Sequence, residues 1–196
     1  MNRIFYNIIR YILVGFMYLF FHPKVVGKEN IKRDGSLVLA GNHTSYFDPL
    51  LLIAVVPRKI HFLAKIELFT KGIVGLVIRK MGCIPVNRKL HTGKPLKNAT
   101  DVLNNKEVIG IFPEATINKS SDLTLPFKIG AIKMSHDTDS YLVPFIITGK
   151  FRVFGKSVKI EFLKGRKIGS NLDEENIKLR DEIASKILDS RGNIHE

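Results

Sequence analysis

Apolar residues run almost unbroken from Ile4 to Phe21, with Asn7 and Arg10 the main interruptions. Pro23 then ends any helix formed there. Beyond it the pattern changes to short apolar runs separated by longer stretches with helical spacing. Residues 37–40, 59–64, 83–86, 108–112, 141–148 and 157–163 read as strands. Pro85 places the third of these at an edge or an irregular end. Residues 49–56, 66–81 and 96–103 read as helices, as does the chain from Asn171 onward. In the last of these, Leu172, Leu179, Ile183 and Ile187 share a face, and Asp173, Glu174 and Glu175 load the first turn. Glycines 72 and 75 weaken the helix over 66–81 or permit close packing. The alternation predicts a single α/β domain over 24–196, with a mixed, largely parallel central sheet flanked by helices. Residues 1–23 are set apart as an apolar, membrane-associating helix.

That first helix admits three readings: a helix lying in the membrane interface, a short spanning anchor, or an internal core helix. Arg10 is costly in hydrocarbon, although it can snorkel. His22-Pro23-Lys24 lacks the small residues of a signal-peptide cleavage site. Lys24, Lys28, Lys32 and Arg33 follow at once, which places the domain on the cytoplasmic face of the cell membrane. The same charges attract anionic headgroups.

Charge narrows the partners. Thirty-one Lys and Arg stand against 18 Asp and Glu, a net +13 over 196 residues. Such a surface suits nucleic acid, an anionic membrane or phosphorylated substrates. Zinc-ligand spacing, a basic region with heptads and an aromatic RNA-binding box are all missing, so no nucleic-acid partner is expected. The one cysteine, Cys83, rules out an internal disulfide and suits a reducing compartment. It lies in an apolar strand with no neighbouring base and reads as inert rather than nucleophilic.

The candidate chemistry follows the strand at 37–40. There the chain reads Gly41-Asn42-His43-Thr44-Ser45-Tyr46-Phe47-Asp48. A carboxylate that accepts a hydrogen bond from one imidazole nitrogen fixes the tautomer and makes the other nitrogen a better base. Asp48 can reach His43 if residues 45–49 turn into a helix start. On spacing alone, a surface histidine beside a helix cap is the ordinary alternative. No G-x-S-x-G elbow supports Thr44 or Ser45 as a nucleophile.

Asn42, His43 and Asp48 reproduce the N-H-x-x-x-x-D box of the glycerolipid acyltransferases, the bacterial-type 1-acyl-glycerol-3-phosphate (lysophosphatidic acid) acyltransferases. Gly82 to Arg88 resembles that family's glycine-led strand ending in Arg. Phe112-Pro113-Glu114-Ala115-Thr116 resembles its F-P-E-G-T box, with Ala115 in place of Gly. Phe127-Lys128-Ile129-Gly130-Ala131 resembles its F-K-x-G-A segment, which opens a helix running here to about His136. Residues 142–147 resemble its apolar strand with a central Pro.

The resemblance extends from about Val25 to about Phe162. It implies His43 as general base and Asp48 as its support. It also implies substrate-binding roles for Asn42, Arg88, Glu114, Thr116 and Lys128. Read without it, Arg88 could be an ordinary solvated cation and Glu114 a capping carboxylate. One departure is Ile117, where an Arg commonly follows the Thr; Lys119 or Lys128 could supply the missing charge, or the acceptor could differ. The implied reaction moves an acyl group from acyl-CoA or acyl-carrier protein, as co-substrate, to lysophosphatidic acid. It requires no metal or resident cofactor. Backbone N–H groups near the same loops are expected to hold the oxyanion. Two alternatives stand beside it: a family member acting on another lipid acceptor, and a non-catalytic protein that binds membrane lipids.

Overall fold

At the centre of the sheet lies β2 (Leu37–Gly41), whose five residues are all buried. A parallel strand covered on both faces needs such an unbroken apolar run. The computed structural model describes residues 3–87, 94–155 and 158–192. Its other strands are β1 (Lys24–Val26), β3 (Ile60–Lys65), β4 (Ile84–Val86), β5 (Val108–Ile111), β6 (Tyr141–Thr148) and β7 (Lys159–Phe162). They join in the order β1-β7-β6-β2-β5-β3-β4. Every neighbouring pair is parallel except β6 with β7. The expected mixed, largely parallel sheet is therefore present, with the proline-bearing β4 at one edge.

Among the described residues six α-helices cover it: α1 (Arg3–Phe20), α2 (Asp48–Val55), α3 (Gly72–Lys80), α4 (Lys94–Asn104), α5 (Gly130–Asp137) and α6 (Leu172–Gly192). Successive strand residues point to opposite faces. Leu37 and Leu39 accordingly pack with Tyr6, Met17, Leu51 and Leu52 of α1 and α2. Val38 and Ala40 pack with residues of α4, α5 and α6, among them Leu103, Ile132 and Ile183.

Two elements differ from the sequence reading. The single helix over 66–81 is split into a 3-10 turn, Ile66–Thr70, and α3, because Gly72 takes a left-handed φ of 41° at the join. β1 was not expected: three residues become a strand by pairing in parallel with β7.

α1 has two unlike sides. Tyr6 and Met17 are fully buried against the domain. The Tyr6 hydroxyl accepts the Ile60 N–H at 2.9 Å, and Arg10 Nε donates to the Val56 carbonyl at 3.2 Å. The charge inside the apolar run is thus tied to the domain. Ile4, Ile8, Tyr11, Ile12 and Leu19 remain exposed. By length and composition α1 could cross a membrane, yet one side of it is docked on the domain.

Candidate active site

Parallel strands bring their carboxyl ends to one edge. The register pairs Ala40 with Ile111 and Gly41 with Phe145, so the loops after β2 and β5 start side by side while β6 runs on to Thr148 beside them. Gly41 is required there: a Cβ would sit 2.3 Å from the Phe145 carbonyl oxygen. Asn42 next locks the turn to β6. Its Nδ2 donates to the Ile147 carbonyl at 2.9 Å and its Oδ1 accepts the Ile147 N–H at 2.8 Å. Buried and bonded through both its amide nitrogen and its amide oxygen, Asn42 holds the loop.

His43 and Asp48 do meet. His43 Nδ1 lies 2.9 Å from Asp48 Oδ2. The same oxygen accepts the N–H groups of Thr44 at 2.6 Å and Ser45 at 2.8 Å. Asp48, fully buried, opens α2 with Pro49 behind it. A carboxylate in this position draws the imidazole proton to Nδ1 and leaves the Nε2 lone pair as the free base. Phe112 stacks on the imidazole with ring centroids 4.1 Å apart, fixing its plane. Residue spacing gave no hint of that stack, although Phe112 lies in the box already singled out.

Glu114 is buried behind the same loop. Its Oε1 accepts the His43 N–H and its Oε2 the Leu125 N–H, each at 2.8 Å. Burial raises its carboxyl above the usual range, against the lowering effect of the two N–H groups. Each oxygen accepts a backbone N–H, so Glu114 acts as a strut between two loops. The strut is doubled by the Asn118 N–H, which donates to the His43 carbonyl at 2.8 Å.

Thr116 and Lys128 are exposed on this side of the domain. The Lys128 N–H donates to the Pro113 carbonyl, and α5 begins only at Gly130. Arg88 lies outside the described residues. Cys83 has its thiol pushed up to about 11 by burial, in keeping with an inert side chain. The hydroxyls of Thr44 and Ser45 are turned to their own loop: Thr44 Oγ1 lies 3.4 Å from Asp48 Oδ1, and Ser45 Oγ accepts the Phe47 N–H. The expected oxyanion donors are not the N–H groups of residues 43–45, which are all committed. Those of Thr116 and Ile117 donate to no other group among the described residues.

The loop also touches α1. Phe47 packs against Phe16, Phe21 and Phe151. Beside it Tyr46 is 82% exposed, the most solvent-facing large apolar side chain of the site.

A model of the Acyltransferase family matches residues 22–148. The 1-acyl-sn-glycerol-3-phosphate acyltransferase of Bacillus subtilis is 33% identical over 127 residues, 64% of this chain and 62% of that protein. The protein of the same name from Borreliella burgdorferi is 34% identical over 136 residues, 68% of this chain and 54% of that protein. This chain therefore spans less than two thirds of either relative's length. The crystal structure of the 1-acyl-sn-glycerophosphate (LPA) acyltransferase from Thermotoga maritima superposes with a TM-score of 0.77, covering 95% of this chain and 79% of that one at 22% identity. That likeness is one of fold.

Proposed function

We propose, from the premise that this chain belongs to the acyltransferase family, that it transfers a fatty acyl group to the sn-2 hydroxyl of 1-acyl-glycerol-3-phosphate, giving phosphatidic acid for phospholipid synthesis. The observation that carries the reading is the His43–Asp48 pair, with Asp48 already held by two backbone N–H groups. His43 Nε2 takes the proton of the acceptor hydroxyl as its oxygen attacks the thioester carbonyl carbon. Asp48 stabilises the imidazolium that results. The tetrahedral intermediate collapses, the C–S bond breaks, and His43 returns the proton to the leaving thiolate. No acyl-enzyme forms. The N–H groups of Thr116 and Ile117 are candidates for holding the oxyanion.

The donor is an acyl thioester of CoA or of acyl-carrier protein. An acidic carrier suits a chain of net charge +13. The acceptor arrives from lipid. The exposed stripe of α1 lies in the membrane interface on the cytoplasmic side, and the aromatic end of α1, packed on Phe47, sets His43 at the bilayer surface.

Ile117 favours a second reading, a different lipid acceptor, because it stands where the resembled family commonly carries an Arg. Acyl transfer to lysophosphatidic acid, compared with monoacylglycerol lacking the phosphate, separates the two. Phosphate recognition predicts kcat/KM lower by about tenfold or more without the phosphate, the scale of one lost charge-assisted contact. Equal rates would move the assignment to the second reading. Lipid binding without transfer to either would leave only a membrane-binding protein.

A further inference from the structure

At the amino ends of the strands, away from His43, the loops and α1 line an open cavity of about 330 Å³. α1 supplies Arg3, Asn7 and Arg10 to it, spaced by four and three residues and therefore on one side of the helix. Arg33 comes from the loop before β2, Arg58 and Lys59 from the entry to β3, and Lys106 and Glu107 from the entry to β5. Glu107 is the one carboxylate among these lining residues, and it is already engaged, its Oε2 being 2.8 Å from His61 Nε2.

The floor is rigid. Arg58 donates to the carbonyls of Lys32, Asp34, Gly35 and Lys106. Those bonds hold both of its terminal nitrogens, and the carboxylates of Asp34 and Glu107 lie near enough to act on its charge. Arg3, Arg33, Lys59 and Lys106 have no ion-pair partner among the described residues. A concave site with unpaired guanidinium and ammonium groups around a fixed guanidinium is shaped for phosphate oxygens.

Its place says which phosphate. The basic side of α1 borders the exposed apolar stripe of Ile4, Ile8 and Tyr11 on the same helix. A bilayer that meets the stripe brings headgroups to the cavity mouth. The catalytic loop lies across the length of β2, about 15 Å or more away at the strand rise, so this is not the acceptor's place.

We propose that this cavity is a second, non-catalytic site for a phosphate-bearing anion, the headgroup of an anionic phospholipid, which seats the amino end of α1 on the bilayer. The bilayer part of the proposal rests on the membrane-associated reading given above.

The test is co-sedimentation of the full chain with phosphatidylcholine vesicles, with and without phosphatidylglycerol. Arg33→Gln with Lys59→Gln should weaken binding to the anionic vesicles about tenfold or more, at roughly fivefold for each cation near such a surface. Binding to phosphatidylcholine alone, which uses the apolar stripe, should not change. Lys133→Gln with Lys178→Gln removes the same charge from α5 and α6, on the other face of the sheet, and should cost less than about twofold. Equal losses for the two pairs would overturn the proposal, since bulk charge would then explain them. So would a loss on phosphatidylcholine alone.

Excess inorganic phosphate separates the sources. Competition with anionic vesicles shows that phosphate alone fills the cavity. Failure to compete, with the paired loss intact, assigns it to the lipid-borne headgroup. Transfer to a short-chain, water-soluble acceptor should be unchanged in Arg33→Gln/Lys59→Gln. Its absence from the wild type would sink the catalytic reading and leave the vesicle result standing.

Discussion

The two ends of the sheet are tied by opposite charges. At the carboxyl ends, backbone N–H groups converge on carboxylates: Thr44 and Ser45 on Asp48, His43 and Leu125 on Glu114. At the amino ends, four backbone carbonyls converge on one guanidinium, that of Arg58. Glu114 and Arg58 each tie loops from separate strands to a single ion, whereas Asp48 ties its own loop. Only at the carboxyl ends does an imidazole share one carboxylate oxygen with the backbone N–H groups of its own loop. Asp48 fixes the loop and the His43 tautomer with the same oxygen, so folding and chemistry share a group there. Arg58 fixes loops and orients no reactive group. The comparison teaches that a charge cluster becomes reactive through what it leaves free: Nε2 of His43 at one end, unpaired cations at the other.

Breaking the shared group should have the largest effect. Asp48→Asn puts an amide where two N–H groups and an imidazole N–H all seek an acceptor. The expected fall in kcat is about 10²–10⁴-fold, the range of a positioned base, with about 1–3 kcal/mol lost in stability. Steady-state kinetics alongside denaturant unfolding read both; normal kcat would show that His43 needs no partner.

The opposite end should respond differently. Arg58→Lys cannot reproduce a planar fork that reaches four carbonyls, and should cost about 2 kcal/mol of stability while kcat of the folded enzyme stays within about twofold. A large fall in kcat at unchanged stability would break the division between the ends.

The smallest effect sharpens the carboxyl end. Ala115 sits at a left-handed φ of 57° inside the Glu114 loop. An L-residue there costs about 1–2 kcal/mol, and glycine returns part of that gain through its unfolded-state entropy. Ala115→Gly should therefore raise stability by up to about 1 kcal/mol, visible as a higher Tm. A lower Tm would mean that the Ala115 methyl packs usefully.

Much of this was legible beforehand, for physical reasons that differ by residue. β2 could be read because a strand buried on both faces has to be continuously apolar. The edge position of β4 followed from the N–H that Pro85 lacks. The pairing of His43 with Asp48 depended on whether Asp48 opens a helix, and Pro49 at the first turn made that a local matter. What escaped was set by partners distant in sequence. β1 exists only through β7, and the Phe112 stack only through the β2–β5 register. Asn42 and Glu114 were placed on substrate by resemblance, and the structure bonds their polar atoms to the backbone of residues 147, 43 and 125. No local pattern announces such a partner. The break at Gly72 turned on whether a glycine would use its left-handed freedom.

The most direct test is acyl transfer by purified wild type and His43→Ala, with lysophosphatidic acid as acceptor and both acyl-CoA and acyl-carrier protein as donors. The account predicts a kcat lower by about 10²–10⁴-fold with an unchanged Tm, because His43 supplies the base while the loop is held by Asp48, Glu114 and Asn42. Turnover retained to within about threefold in folded His43→Ala would contradict it, being far short of what a positioned base contributes.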